Sequence, residues 1–485
     1  MGQLGLPGRR LADLRSLVLP ALAVAIAGIA LLILAVGNSI VLLAIPLTLG
    51  TAVLAARRPA GVALTVFVVS GFIGTITAFT SIPVTSLVDF LLLALWLGVV
   101  GTYLTGRAER HAWLWPALIA PGLYLGITAF EVLLTHPISL GVQGFRAASW
   151  YMAAFILVAL APWSERVHMR IARGAVAIGV LVGAYCTYRW LAGESVKETL
   201  AAKHAQPGVP TALQLRFFGS FLSANQLAGW TATMIPFCLA AAIGWRGRWR
   251  LWAAAAIPLL AMPLLASTIR TGALAAAAGV VVVLALALAV RQARGRLGAA
   301  LVALLAVGVI GAGAFDLTIG GSGKQSTRFA NILSPENDPA YALRQQRWSQ
   351  AWKDIQDNPW GHGLGTSGGA AADNPNGPVI TPYIDSSYLV VGLQQGLLIM
   401  LLYIFALVAL LAGLARRASM IPGVSRTFLA IGACGTLVAM IVLFYAGTYA
   451  EGAYIAGGWL MVGLGVAQVT VRTTRPGSEP ARPSA

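Results

Sequence analysis

Long apolar runs, broken at short intervals by arginine, glycine and proline, set the pattern of this chain. A helix needs about 20 apolar residues to cross the hydrocarbon core of a bilayer. Fourteen stretches meet or approach that length: 17–36, 38–56, 60–79, 83–105, 113–134, 146–162, 170–192, 221–243, 249–267, 271–290, 298–315, 386–413, 427–447 and 452–470. The pattern predicts an all-α polytopic membrane protein of 12–14 transmembrane helices. An even count puts both termini on one side. The first stretch follows Arg9, Arg10 and Arg15, but it lacks a small-residue cleavage region and runs straight into the second, so it reads as a helix rather than a signal peptide.

Two connections are longer than bundle packing requires. One runs from Gly193 to Arg216 and the other from Asp316 to Asp385, and a polar loop of that second size points to function. Within it, Asp338-Pro339 supplies a helix N-cap and a first-turn proline, and Asn358-Pro359 a stop, so 340–357 is expected to be helical. At the helical repeat, Tyr341, Trp348, Trp352 and Ile355 share one face, with Arg344 on its edge and Arg347 one step beyond. Such an amphipathic helix is suited to lie on the membrane surface, aromatic side down, or to cap the bundle, and the two are compatible. The expected organisation is a cytoplasmic N-terminus (1–16), N-terminal transmembrane helices (17–192), central helices (193–315), a large extracytoplasmic loop (316–385), C-terminal helices (386–470) and a disordered cytoplasmic tail (471–485).

Composition supports lipid as the solvent: 58% of residues are hydrophobic and 10% charged, with a mean hydropathy of +0.79. The net charge of +17 suggests a nucleic-acid partner until its distribution is followed. With the N-terminus inside, 22 of the 33 basic residues but only 4 of the 16 acidic ones fall on the cytoplasmic side. That is the positive-inside rule, and it orients the chain in the cytoplasmic membrane with no nucleic acid implied. Cys186, Cys238 and Cys434 all fall inside predicted spans, which excludes a disulfide framework in the loops.

Two motifs look like nucleotide sites and are not. Gly363-Leu364-Gly365-Thr366-Ser367-Gly368 fits GxGxxG but follows no buried strand, and Gly320-Gly321-Ser322-Gly323-Lys324 is followed by Gln325 where a phosphate loop needs Ser or Thr. No ATPase domain or cofactor is expected. His362 is the lone histidine of the large loop, and no spacing of His, Cys, Asp and Glu supports a metal.

The informative charges are arginines left on the outer side. Arg270, in Ser267-Thr268-Ile269-Arg270-Thr271-Gly272, lies at an outer turn, Arg216 precedes the eighth stretch, and Arg146 starts the sixth. Each alone reads as an interface anchor. Together, beside Arg328, Arg344 and Arg347 in the loop, they point to an anionic ligand. Guanidinium groups match phosphate oxygens, and a lipid-linked diphosphate would place its tail in the bilayer and its headgroup here, bringing its own activation. Attack by a sugar hydroxyl then needs a base. Candidates are Asp385, His362, Glu336, Asp354, Asp89, Glu131 and Glu451, with Asp385 best placed where the loop re-enters the membrane. Asp385-Ser386-Ser387 also reads as a helix N-cap.

Four ordered segments carry a resemblance. Arg216-Phe217-Phe218-Gly219-Ser220-Phe221 with Asn225, the Ser267 to Gly272 segment, Arg347-Trp348 through Asn358-Pro359-Trp360-Gly361-His362-Gly363-Leu364-Gly365, and Asp385-Ser386-Ser387-Tyr388-Leu389 through Gln395-Gly396-Leu397 resemble the O-antigen ligase and O-antigen polymerase superfamily over roughly 210–400. The resemblance implies a GT-C-like helical bundle and a metal-independent glycosyltransferase. It would transfer a glycan from undecaprenyl diphosphate to an acceptor hydroxyl of a glycan or glycolipid, at the outer face of the inner membrane, for cell-surface polysaccharide assembly. Carried over, Arg216 and Arg270 bind the diphosphate, and Asp385 stands where ligases often have a catalytic histidine. That departure leaves ligase and polymerase both open. A lipid-linked oligosaccharide flippase is the competing class, although the chain has no repeat of the kind such transporters carry.

Overall fold

The computed structural model describes residues 41–80, 84–104, 116–205, 216–290, 339–372, 384–421 and 423–470. The stretches 17–36 and 298–315, Arg328, Glu336 and the C-terminal tail lie outside the described residues. Every regular element described is a helix: α1 (Val41–Arg57), α2 (Pro59–Gly71), α3 (Ile73–Thr80), α4 (Val84–Leu104), α5 (Ile119–Leu134), α6 (Ile138–Phe145), α7 (Ala153–Leu160), α8 (Glu165–Ala192), α9 (Val196–His204), α10 (Ala224–Gly244), α11 (Arg248–Ala266), α12 (Arg270–Ala289), α13 (Pro339–Asp357), α14 (Gly368–Ala372), α15 (Ser387–Gln395), α16 (Leu397–Ala418), α17 (Val424–Tyr445) and α18 (Ala456–Thr470), with short 3₁₀ and π turns between them. Among the described residues seven helices are long and apolar enough to cross a membrane, or up to nine if each of two bent pairs is one span. The chain is a multi-pass membrane protein.

The centre of the bundle is α10, α17 and α18, whose residues are nearly all buried. Glycines set their closeness. Cβ atoms added at Gly432 or Gly465 would press on Phe237 or Ala433 of the neighbouring helix. Thr436 reaches across from α17 to donate to the Thr233 carbonyl at 3.0 Å. The order of these contacts, Phe428 at Gly244, Thr436 at Thr233 and Tyr449 at Gly229, runs α17 antiparallel to α10. In contrast α12 runs parallel to α10, with Gly272 against Ala228 and Gly279 against Pro236. One end of the bundle therefore gathers the starts of α10 and α12 with the end of α17. The opposite end carries the arginines of the short connections, where Arg426 donates to Gln468, which in turn meets His168.

Three of the expected straight spans are interrupted. The stretch 60–79 is two helices, α2 and α3, bent by 81°. Ser220 supplies the groups the break leaves unpaired: its hydroxyl donates to the Gly71 carbonyl at 2.6 Å, and its carbonyl accepts from the Gly74 and Thr75 amides. The stretch expected at 146–162 begins earlier, at Ile138. It passes through a π turn at Arg146–Trp150 and bends by 58° before α7. The stretch 386–413 divides at Gly396, whose φ of +87° excludes a side chain without strain.

Candidate functional site

The expected loop helix forms as α13, from Pro339 to Asp357. Its inner side holds Trp348, Ala351 and Ile355, so the buried stripe includes Ala351, and Trp352 is exposed. Trp348 packs edge-on against Tyr445 at 5.2 Å between ring centroids, and Ile355 lies against Gly392 of α15. The helix thus caps the bundle. Arg344 sits on the inner edge, while Arg347 is exposed on the other side.

After α13 the chain crosses the break between α15 and α16 as a hydrogen-bonded strap. The His362 amide donates to Leu393 O, the Gly363 amide to Gln394 O, and the Leu397 amide to Pro359 O. Closeness requires glycine: a Cβ at Gly361 would come within 2.5 Å of the Gln394 carbonyl, and one at Gly365 within 2.5 Å of the Leu140 carbonyl. The glycine-rich segment is a packed strap. The His362 ring is held back toward α13, 3.2 Å from Asp354, and Asn358 also bonds to that carboxylate.

The segment from Asp385 to Ser387 then divides three tasks among three residues. Asp385 accepts two bonds from Arg344 on one oxygen, Oδ2, at 3.2 Å from Nε and 3.0 Å from Nη2. Ser386, not Asp385, occupies the N-cap position of α15. Ser387 staples the turn after α17: its hydroxyl donates to Gly447 O at 2.8 Å and accepts from the Ala450 amide at 3.2 Å. The cap reading of Asp385 is thereby replaced by an ion pair. That staple holds the turn carrying the buried Tyr449 against the start of α15.

Arg216 is delivered by the Phe217-Phe218-Gly219-Ser220 segment, which is pinned at two points. The Glu194 carboxylate accepts the Phe218 and Gly219 amides, the first at 2.9 Å. Ser220 fills the α2–α3 break. Burial pushes the Glu194 carboxyl up, opposed by those amide bonds. Arg270 begins α12 after a turn in which Thr268 adopts φ +56°. A β-branched residue in that region costs about 1 to 3 kcal/mol, and such strain collects at functional sites. Gly272, two residues on, lies against Ala228 in the first turns of α10, which puts Arg270 at the same end of the bundle as Arg216.

Arg146 is committed to a pair of its own, in a π turn that packs against the Tyr449–Glu451 turn. In the π turn it faces Asp89 of α4 at 2.7 Å, a pair inside the bundle. Glu451 accepts from the Gly369 amide at 2.6 Å, tying the turn after Tyr449 to the start of α14. Among the described residues no group of three or more His, Cys, Asp or Glu is arranged to hold a metal ion. Tyr449 carries no motif, so the sequence reading passed over it. Its one signal is a polar, aromatic turn, Gly447 to Tyr454, between two apolar runs on the side of Asp385.

Residues 259–404 match the family model described as O-antigen ligase. The match runs from α11 into α16 and includes Arg270, Arg344, Arg347, His362 and Asp385, with Arg216 and Tyr449 outside it. No curated protein matches the chain.

Proposed function

We propose, for a chain whose residues 259–404 match the O-antigen ligase family model, that it transfers a glycan from a polyprenyl diphosphate to an acceptor hydroxyl at the outer face of the cytoplasmic membrane. The supporting observation is convergence: Arg344 pairs with Asp385, next to the Ser387 staple on the turn after α17, at the end of the bundle where α10 begins shortly after Arg216 and α12 begins with Arg270. The acceptor oxygen attacks the anomeric carbon as the bond from that carbon to the diphosphate oxygen breaks. The electron pair leaves with the diphosphate, where Arg216 and Arg270 stabilise the developing charge. The acceptor proton passes to Asp385, whose Oδ1 carries no bond from Arg344. Arg344 keeps the carboxylate oriented, and α13 closes over the headgroup.

Arg270→Ala abolishes transfer and leaves expression intact in this reading. Normal surface polymer in a strain carrying only that variant overturns it. Supplying a purified lipid-linked glycan to the reconstituted protein tests the reaction class. Release of polyprenyl diphosphate with glycan transfer marks an enzyme, and movement of the intact lipid across the bilayer marks a transporter.

A further inference from the structure

We infer that the end of the bundle opposite Arg270 binds the headgroup of an anionic phospholipid, in a groove built by Arg166, Arg170 and Arg173 of α8 beside the tryptophans of α11. The site is separate from the transfer chemistry proposed above and does not depend on it.

The first turns of α8 border a groove of about 710 Å³ whose described lining is Ser164, Glu165, Arg166, Met169, Arg170 and Arg173. The three arginines follow one another at i, i+4 and i+7, so they form a single stripe along it. Such an arrangement is unfavourable on its own. Like charges at that spacing repel, and the first turns of a helix disfavour cations. Arginines elsewhere in the fold are given protein partners: Arg189 has Glu198, Arg344 has Asp385 and Arg426 has Gln468. Among the described residues none of the three groove arginines pairs with a carboxylate, Glu165 included. Orienting the chain in the membrane requires positive charge in this connection, but neither a stripe nor a groove. An anion in the groove compensates all three, and the guanidinium fork matches phosphate oxygens.

The neighbouring helix says which phosphate. Arg173 lies over the Trp249 ring of α11, 5.8 Å from its centroid, and Arg248 lies over the same ring at 5.5 Å. Stacking on the ring face leaves the in-plane N–H groups of each guanidinium for a ligand. Trp249 in turn meets Trp252 at 6.5 Å between centroids. Trp252 and Leu251 are exposed on a helix long and apolar enough to cross a membrane. A free phosphate would use the arginines alone. A phospholipid uses both surfaces, its headgroup in the groove and its acyl chains along Trp252 and Leu251. The placement agrees: Arg248 opens α11, whose far end leads to Arg270, so the groove lies at the end that the positive-inside reading makes cytoplasmic, where anionic headgroups meet basic pockets between membrane helices.

Dioleoylphosphatidylglycerol and, separately, dioleoylphosphatidylcholine are titrated into the full-length protein in micelles, and bound lipid is measured by native mass spectrometry. Wild type should prefer the anionic lipid. Losing a hydrogen bond to a charged group corresponds to about tenfold in affinity, so Arg170→Gln should bind phosphatidylglycerol about tenfold more weakly. Arg170 is exposed, and the variant should melt with wild type and keep its affinity for phosphatidylcholine. Arg416→Gln removes an exposed cation from the last turn of α16, outside the groove, and should leave binding unchanged. Wild-type affinity in Arg170→Gln overturns the inference, and so does an equal loss in Arg416→Gln, which would reduce the effect to the general field of the basic face. Excess inorganic phosphate should fail to displace the lipid. Complete displacement would make the groove a site for the free anion and overturn the lipid assignment.

Discussion

Two arginine–carboxylate pairs close the same end of this bundle, and they are built oppositely. Arg189 of α8 pairs with Glu198 of α9, and Arg344 of α13 pairs with Asp385. Glu198 is buried and saturated: it receives Thr75 at 2.8 Å, Tyr185 at 2.6 Å and Ser195 at 2.7 Å in addition to Arg189. Asp385 has a side chain 53% exposed and takes bonds from one arginine on one oxygen. A carboxylate with every lone pair engaged holds elements together and cannot readily take a proton from a ligand. One that is oriented but half used can.

The difference is broken or upheld first at Asp385. Asp385→Asn keeps the shape and removes the proposed proton acceptor, so turnover per folded molecule should fall by about 10²- to 10⁴-fold, the usual worth of a general base. Reconstituted transfer assays on the purified variant measure it. Activity within a factor of a few of wild type would make Asp385 structural and erase the contrast with Glu198.

Glu198→Gln should act in the other currency. Removing one partner of a buried pair costs about 3 to 5 kcal/mol, read as a lowered melting temperature in detergent, with turnover per folded molecule little changed. The pH dependence has a definite sign. Burial would raise the Glu198 carboxyl, but hydrogen bonds from Tyr185, Ser195 and Thr75 and the Arg189 charge outweigh it and hold it below its ordinary value. Its stabilisation is therefore present above the unfolded carboxylate value of about 4.3 and is lost as the pH falls through the lower folded value. The melting temperatures of wild type and Glu198→Gln should converge in acid and separate toward neutrality.

How far the sequence foretold these two pairs differs for a physical reason. Apolar runs marked the helices, because lipid demands about 20 residues per span. Proline at 339 and 359 marked the ends of α13, and the helical repeat put Arg344 at the edge of its inner face. What one-dimensional reading missed lies where a local rule is overridden from far away. The bend between α2 and α3 is stabilised by Ser220, 149 positions on from Gly71. The buried stripe of α13 takes Ala351 between Trp348, which meets Tyr445, and Ile355, which meets Gly392, and leaves Trp352 exposed. Tyr449 owes its place to Ser387, a residue that the sequence treats as part of a cap. Arg216, Arg270 and Asp385 were legible as charges near membrane depth; the segments that carry Arg216 and Asp385 are placed by tertiary hydrogen bonds involving Glu194, Ser220 and Arg344 that no spacing encodes.

The smallest expected effect gives the sharpest test of what Arg344 does for Asp385. If the carboxylate needs only a nearby positive charge, Arg344→Lys should be silent, since the ammonium keeps the charge. The geometry argues for more. Arg344 reaches Oδ2 through both Nε and Nη2, a two-point grip that fixes the carboxylate plane, and a lysine offers a single point on a flexible stem. The pair is also partly open to solvent, so screening limits what charge alone contributes. Loss of one hydrogen bond to a charged group, partly compensated by water, should lower transfer by about five- to tenfold, with the melting temperature unmoved because α13 is held by Trp348, Ala351 and Ile355. An unchanged rate would reduce Arg344 to a source of charge. A loss as deep as that of Asp385→Asn would instead mean that the grip itself creates the base, and that Arg344 and Asp385 act as one unit.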